Sequence, residues 1–191
     1  MKHWENFDWG SSNDWYKECI GKEIFEQKIY ERFFSVEEND IVVDIGASIG
    51  IFTYSILDKN PSHVFCFEPS LEQFPTLIKN TLNGFVTCIS KGISDIDGVK
   101  VLNDVYGYNN QPLEVHTLRF DTFIKKYNIE KDSINIFYQS NIRSKNDTSN
   151  KLREEIVCKL GKRVLVLVRF NYNLSFTVAS GKESGCWFVV L

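Results

Sequence analysis

The chain has 191 residues, of which 43% are hydrophobic and 14% aromatic, and its formal net charge is −3. These values are typical of one globular domain with a sizeable core, and they exclude an intrinsically disordered chain. No stretch is long and apolar enough to cross a bilayer, and the N-terminus has no apolar signal core, so we expect a soluble, cytoplasmic protein without a membrane partner. No spacing of His, Cys and carboxylate residues predicts a metal site.

The N-terminal part of the chain divides into an arm and a helix. Residues 1–14 mix aromatic side chains with Asn, Asp, Gly and Ser and have no periodicity. We interpret them as a loose arm with anchoring aromatics, and a flap over a ligand cleft is the alternative. From Trp15 to Phe34, apolar residues recur at three- to five-residue steps, which predicts a helix. Gly21 weakens such a helix by about 1 kcal/mol relative to alanine, so the helix can break there.

A strand, a glycine turn and a helix follow in close succession. Residues 41–45 are mostly apolar and β-branched, which predicts a buried strand. Gly46 and Gly50 bracket a turn, and residues 51–57 are predicted to form the helix that leaves it. Glycine permits backbone angles that other residues avoid, and it lets a ligand approach the bare backbone. Ser48 can cap the helix, and the free N–H groups of the helix favour an anionic or carboxylate group.

A carboxylate follows the second predicted strand. The apolar run 64–67 ends in Glu68, Pro69 and Ser70, and Glu68 lies 24 positions after Asp44. In α/β domains that bind nucleotides, a carboxylate about 20 residues past the glycine turn holds the ribose hydroxyls. The alternative interpretation of Glu68 is a surface carboxylate before a proline turn. The order strand, helix, strand predicts an α/β fold with a mostly parallel sheet.

Further elements follow at regular intervals. An apolar stripe over residues 71–82 predicts a helix, but Pro75 requires that this helix begins later than Ser70 or is kinked. Strands are predicted at 85–89 and, after an Asp-Gly turn, at 99–102. A short helical face is predicted at residues 120–127. Cys66 and Cys88 lie inside apolar runs and are interpreted as buried, reduced thiols, which fits a reducing compartment.

Two of these segments carry a resemblance to a known family. Val43 to Gly50, together with Phe67 to Ser70, resembles the FkbM family of S-adenosylmethionine-dependent methyltransferases. The lead-in helix, the turn at 94–98 and the segment 117–124 fit the same pattern, so the resemblance covers roughly residues 12–132.

The resemblance implies a class I methyltransferase-like fold, which is a Rossmann-like, doubly wound and mostly parallel sheet. It implies that S-adenosylmethionine is the cofactor, and that Asp44 serves the amino acid end of it. The acceptor would be a hydroxyl group on a sugar or another small metabolite. The cofactor-binding residues that the resemblance implies are Asp44, Gly46, Ala47, Ser48, Gly50, Glu68, Pro69 and Ser70.

The family pattern ends near residue 132. The family usually continues with a strand of the type Ile-Asp-Phe-Leu-Lys-Ile-Asp, followed by an acidic residue and Gly. Residues 133–141 keep the strand-like alternation but lack the acidic residues and the glycine. The carboxyl end of this strand is expected to face the ligand cleft, where Gln139 and Asn141 can form hydrogen bonds but cannot act as bases. His116 is the one histidine that we would test as a base, and no catalytic residue is assigned.

The C-terminal part is predicted to contain a helix at 146–160, a strand at 164–170 and an antiparallel pair formed by 174–179 and 186–191. From residue 133 onward there are nine Lys/Arg and four Asp/Glu, a charge of +5, so the preceding part carries −8. We divide the chain into an arm (1–14) and one domain (15–191). The domain has a cofactor-binding part (15–132) and a divergent part (133–191), which is either native to the fold or a recombined end.

Three alternative functions stay open. The first is a catalytically inactive relative that binds cofactor or a partner without turnover. A nicotinamide-dependent oxidoreductase is disfavoured because the G-x-G-x-x-G pattern is absent. Methylation of a nucleic acid through the basic C-terminal part is also disfavoured, since its aromatic residues fit core strands equally well.

Overall fold

The computed structural model describes residues 4, 6–28, 30–31, 35–102, 112–130, 134–140, 164–170, 177–180 and 187–190. The helices are α1 (Asp14–Gly21), α2 (Ile51–Ser55), α3 (Phe74–Asn80) and α4 (Phe120–Lys126). A π-helical segment, Lys22–Glu26, continues α1, and a 3₁₀ turn, Leu57–Lys59, follows α2. The strands are β1 (Ile41–Ile45), β2 (His63–Phe67), β3 (Val86–Ile89), β4 (Gly92–Ser94), β5 (Gly98–Leu102), β6 (Leu113–Arg119), β7 (Ile134–Ser140), β8 (Val164–Phe170), β9 (Thr177–Ser180) and β10 (Trp187–Val190).

The main sheet has five strands in the order β3-β2-β1-β8-β7, and every neighbouring pair is parallel. Asp44 on β1 lies opposite Cys66 on one side and Leu167 on the other. The predicted α/β fold with a parallel sheet is therefore confirmed. Because the strands are parallel, the carboxyl ends of β1, β2 and β8 lie at one edge of the sheet.

The last two strands of the main sheet are not in the order of the chain. The strand predicted over 133–141 is present as β7, but β8 separates it from β1. Neighbouring strands are about 4.8 Å apart, so the end of β7 lies about 10 Å from β1 and does not adjoin the glycine turn. The sequences explain this order: β8 begins with five consecutive Val and Leu residues, which suits a central strand, whereas β7 carries Asn135 and Gln139, which suit an edge.

The remaining strands form two smaller sheets. One has the order β4-β6-β5, with β4 parallel and β5 antiparallel to β6. Only β5 was predicted in this sheet. The other is the antiparallel pair β9 and β10, which confirms the predicted pairing near the end of the chain. The predicted helix at 146–160 lies outside the described residues.

Apolar side chains pack on both faces of the main sheet. Val42 and Val64 belong to a cluster with residues of α2 and α3, such as Phe52 and Leu77. The residues that alternate with them along the strands belong to a second cluster that contains Phe123 of α4. The face of β1 that carries Val42 also carries Asp44, because successive side chains of a strand point to opposite faces.

The aromatic residues of the N-terminal arm are anchored in the first cluster. Trp4 is 8% exposed and stacks on Phe25 at 5.4 Å between ring centroids, and Phe7 is 4% exposed and meets Tyr54 edge-on. The predicted anchoring of the arm by aromatic side chains is therefore confirmed for Trp4 and Phe7. Gly21 permits this packing, since a Cβ there would lie 3.0 Å from the indole of Trp4. The helix does not break at Gly21 but changes there from α to π.

Candidate functional site

The glycine turn spans residues 46–50, between β1 and α2. Gly46, Ser48 and Gly50 have φ angles of 78°, 54° and 85°, in the left-handed region. Glycine adopts these angles readily, but a serine does so rarely, and such residues persist only where their surroundings hold them. The conformation of the turn is therefore fixed by contacts around Ser48.

Four backbone N–H groups of the turn are bound within the protein. Gly46 and Ala47 both donate to the carbonyl of Phe67 at 2.9 Å, Ser48 donates to Oε2 of Glu68 at 2.7 Å, and Gly50 donates to the carbonyl of Ala47 at 2.9 Å. The expectation of free N–H groups at the start of the helix stays a prediction, because these four N–H groups precede helix α2. Their contacts fasten the turn to the end of β2.

Ser48 was also expected to cap the helix, and this is wrong. Helix α2 begins at Ile51, its N-cap is Gly50, and no side chain bonds to the cap. Ser48 lies two positions before the N-cap, because the turn is longer than the cap interpretation requires. Its contribution to the site is its backbone N–H.

Glu68 connects the turn to the end of β2. Its side chain is buried at 7% exposure, and its Oε1 accepts a hydrogen bond of 2.8 Å from the N–H of Ser70. With the bond from Ser48, each carboxylate oxygen thus has a backbone donor. The alternative of a surface carboxylate is contradicted by this burial.

Asp44 is fully buried on the α2 side of the sheet. Its Oδ2 accepts a hydrogen bond of 2.8 Å from the hydroxyl of Thr53 in α2, and the same hydroxyl lies 3.2 Å from Sγ of Cys66. Burying a carboxylate without partners is costly, so the Thr53 hydroxyl stabilises both the strand and the helix. The sequence analysis missed Thr53, although it is a polar residue between apolar neighbours in the predicted helix.

Gly50 has a packing role in addition to its backbone angle. A Cβ at this position would lie 2.8 Å from Cγ2 of Thr81 and 2.9 Å from Cδ1 of Leu77. The close approach of α3 therefore accounts for glycine at residue 50 without any ligand. The side chain of Asn80, also in α3, donates a hydrogen bond of 2.8 Å to the carbonyl of Ile49. Helix α3 thus packs against the turn and supports it.

Pro69 and Ser70 lead from β2 towards α3. Ser70 is buried, and its hydroxyl accepts a hydrogen bond of 3.3 Å from the N–H of Gln73. The helix itself begins at Phe74 with Pro75 in its first turn. This confirms that the helix begins later than Ser70, which caps the preceding turn instead.

Ser94, His116 and His63 are not among the described residues that hydrogen-bond to the glycine turn or Glu68. Ser94 donates to Asp95, and the ion pair with Lys100 holds the pKa of the Asp95 carboxyl below its usual value. His116 is exposed on β6. His63 is half-buried with its Nε2 2.9 Å from the hydroxyl of Thr87, and burial lowers its pKa. Within the part of the chain that the structure describes, no group of three His, Cys, Asp or Glu residues could hold a metal ion.

A cavity of about 410 Å³ lies away from the glycine turn. None of the predicted site residues lines it, and an ion pair of 2.8 Å between Lys59 and Glu31 stands at its border. The described lining is Ile24, Phe25, Lys28, Glu31, Tyr54, Ser55, Leu57, Asp58 and Lys59. We therefore place the candidate site at the turn and not in this cavity.

No protein-family model and no curated protein sequence matches the chain. Among solved structures, it is similar to a protein of Listeria monocytogenes described as an S-adenosylmethionine-dependent methyltransferase, with 18% identity over 42% of this chain and 37% of that one, and a TM-score of 0.34. A protein of Pyrococcus horikoshii described as an RNA methyltransferase has 19% identity over 51% and 54% of the two chains, with a TM-score of 0.38.

A complex from Haloferax volcanii, of the Trm112 methyltransferase activator with a methyltransferase, has 23% identity over 47% and 40% of the two chains, with a TM-score of 0.33. The chain thus spans between about a third and a half of the length of these three solved proteins. At TM-scores below 0.5, these similarities establish neither a family nor an activity.

The described helices are all too short or too polar to cross a membrane.

Proposed function

We propose that this chain binds S-adenosylmethionine at the carboxyl edge of β1 and β2 and transfers its methyl group to a hydroxyl of a small metabolite such as a sugar. The proposal includes the finer assignment that the resemblance implies, a doubly wound, Rossmann-like domain of the FkbM type. The observation that carries it is the buried carboxylate of Glu68, which is bonded to the N–H of Ser48 inside the glycine turn.

The arrangement of Glu68 suits the ribose of an adenosine. Two backbone donors fix the orientation of the carboxylate, and its position at the end of β2 lies beside the glycine turn at the carboxyl edge of a parallel sheet. Ligands of open α/β sheets bind at this edge. Ribose hydroxyls are donors, and a carboxylate held rigidly in place accepts from them without a further loss of side-chain entropy.

The remaining predicted residues take their roles around this carboxylate. In the proposal, Gly46 and Ala47 present bare or nearly bare backbone to the cofactor, and Pro69 and Ser70 form the wall behind Glu68. Asp44 acts on the methionine end through the buried side of β1. Ser48 and Gly50 act indirectly, since one anchors Glu68 and the other lets α3 pack behind the turn.

For methyl transfer, the main task of the protein is to align the cofactor with the acceptor. The bound cofactor supplies a methyl group that is already activated on a sulfonium. The residues of the chain hold and orient it, and they exclude water from the acceptor. A hydroxyl acceptor must also lose a proton, which calls for a base.

A specific observation favours a second candidate, which is cofactor binding without turnover. Both carboxylates at the turn, Asp44 and Glu68, are engaged by donors of the protein itself. The strand that adjoins β1 is β8, and the segment that would carry the acidic residues of the family pattern is the edge strand β7. His116 lies on β6, in another sheet. No base is therefore assigned to the described part of the site.

Calorimetric titration of S-adenosylmethionine and its demethylated product into the full chain tests the proposal. We expect binding in the micromolar range for the unaltered chain, strongly weakened binding for Glu68→Gln, and no change for Glu72→Gln, which alters an exposed carboxylate four residues away. Thermal unfolding of each variant verifies that it is folded. A folded, unaltered chain that binds neither compound contradicts both candidates, and binding without methylation of any hydroxyl acceptor favours the second.

A further inference from the structure

Two cysteines face each other across neighbouring strands of the main sheet. The parallel register of β2 and β3 places Cys66 directly opposite Cys88. Neighbouring strands are about 4.8 Å apart, and the Cα atoms of disulfide-bonded cysteines are usually about 4.4–6.8 Å apart. Each of the two thiols shifts the pKa of the other. The spacing of the two strands thus suits the Cα separation of a disulfide, although the thiols are reduced here.

The two sulfur atoms differ in their access to solvent. Cys66 is fully buried in the first apolar cluster, whereas Cys88 is half-buried and packs at its border. The hydrogen bond with Cys66 lowers the pKa of Cys88 to about 7, and the same bond, together with burial, raises the pKa of Cys66. Since the thiolate is the nucleophilic form, Cys88 has the features of an attacking thiol and Cys66 those of a resolving one.

We propose that Cys66 and Cys88 are a site of reversible oxidation, at which a peroxide converts the dithiol to a disulfide within the folded protein. In the first step the Cys88 sulfur attacks one peroxide oxygen, the O–O bond breaks, and the other oxygen leaves as hydroxide. In the second step the Cys66 sulfur attacks the sulfenic sulfur of Cys88, the S–S bond forms and the S–O bond breaks. The protons of the two thiols end on the two departing oxygens, so two water molecules form. The cysteines lose the two electrons that the peroxide gains.

The oxidised pair would communicate with the candidate cofactor site through Thr53. The Thr53 hydroxyl donates its single proton to Asp44 and lies 3.2 Å from Sγ of Cys66. Oxidation removes the Cys66 proton and ties its sulfur to Cys88, so a hydrogen bond between Cys66 and this hydroxyl is lost. This consequence for cofactor binding rests on the proposed function, whereas the disulfide itself does not.

The test uses mass spectrometry to map the disulfide between Cys66 and Cys88 in protein to which no cofactor has been added. The variant Cys19→Ser/Cys158→Ser/Cys186→Ser keeps only the pair, and Cys88→Ser or Cys66→Ser in that background is the control. After hydrogen peroxide treatment of the folded protein, we expect the loss of two hydrogens, a linked pair of peptides containing Cys66 and Cys88, and full reversal by dithiothreitol. The controls are expected to form no internal linkage.

Two outcomes overturn the proposal. One is that both thiols stay reduced in the folded protein, and the other is that Cys88 advances to a sulfinic acid while Cys66 remains a free thiol. The same mapping on the unaltered chain, by differential alkylation, covers the case in which the triple variant does not fold, and a linkage there that excludes Cys66 or Cys88 also overturns it. Because cofactor is absent, failure of this test is distinct from failure of the proposed function.

Discussion

The carboxylate of Glu68 accepts a hydrogen bond of 2.7 Å from the backbone N–H of Ser48, a residue with a positive φ in the turn between β1 and α2. The bond joins the turn that follows β1 to the end of β2. The turn, its serine and the carboxylate therefore form one unit, and a change to any of them alters the others.

Replacing Glu68 by glutamine tests this unit as a structural element. The amide keeps the shape of the side chain but has only one oxygen, so either the N–H of Ser48 or that of Ser70 loses its acceptor. An unsatisfied buried donor costs about 1–3 kcal/mol, which we expect as the loss in the free energy of unfolding measured with urea. The control Glu72→Gln, at an exposed residue, should stay within about 0.5 kcal/mol of the unaltered chain. Equal stability of the two variants would contradict the structural role.

Gly50→Ala tests the packing of α3 behind the turn. The new Cβ would lie within 3 Å of side-chain atoms of both Thr81 and Leu77, at a φ of 85°. We expect a loss of about 2–4 kcal/mol in the free energy of unfolding, since overpacking and a left-handed backbone angle both add to the cost.

Gly84→Ala is the matched control for this substitution. No heavy atom lies within 4 Å of a Cβ at Gly84. Its stability should change by less than about 1 kcal/mol, and a small gain is expected because alanine restricts the unfolded chain. If both alanines cost the same, α3 does not approach Gly50 as described.

Asn80→Ala tests the anchoring of the N-terminal arm. The Asn80 side chain accepts from the N–H of Asp8 and donates to the carbonyls of Asp8 and Ile49, at 2.7–2.9 Å. Without it, we expect the arm to detach more often, which limited proteolysis detects as faster cleavage near residues 8–13. Lys79→Ala removes only an exposed ion pair with Asp8 and should have little effect. Unchanged cleavage of Asn80→Ala would show that the buried aromatics alone hold the arm.

His63 predicts a pH dependence of stability. Burial lowers its pKa in the folded state below that in the unfolded state. The unfolded chain therefore binds more protons near and below the unfolded pKa of about 6.5, and the stability that neutral His63 contributes is lost as the pH falls through that value. His63→Gln removes this contribution. Urea unfolding at pH 7.5 and 5.5 should show a larger drop for the unaltered chain than for the variant, and parallel drops would contradict the prediction.

Oxidation is expected to weaken cofactor binding if both proposals hold. Loss of the contact between the Cys66 thiol and Thr53 removes one neutral hydrogen bond next to Asp44, which corresponds to about fivefold weaker binding of S-adenosylmethionine. Calorimetry on the reduced and the peroxide-treated chain measures this ratio. Cys88→Ser, treated identically, is the control and should show no change. Equal affinities of the reduced and the disulfide-bonded chain would contradict the link through Thr53.

Much of the fold was predictable because its signals are local. A few adjacent residues are enough to predict each of these elements. They are the β-branched run of β1, the apolar run of β2 and the glycines at 46 and 50 that bracket the turn. The late start of α3 followed from Pro75 in the same way. β6 was missed, although Val115 and Thr117 are buried while Glu114 and His116 are exposed, which is the two-residue period of a strand.

The arrangement around the site was less predictable because it depends on distant segments. Two apolar segments far along the chain, β7 and β8, compete for the position next to β1. No local pattern shows which of them takes it. The reason for glycine at residue 50 lies in the approach of Thr81 and Leu77. Glu68 was predicted as a ligand for ribose, but its bond to Ser48 requires a turn geometry that spacing alone does not specify. That role stays a prediction.

The position of β8 has a consequence for the order in which the protein can fold. Ile41 pairs with Val164, 123 residues later in the chain, so β1 is completed on this side by a segment synthesised long after it. Until that segment leaves the ribosome, β1 has an unpaired edge of consecutive apolar residues, which is a template for association with other chains. Closure of so long a loop is slow, and we expect the centre of the sheet to form only after the nascent chain has extended past residue 168. A nascent chain paused before β8 would be a substrate for chaperones rather than a folded domain.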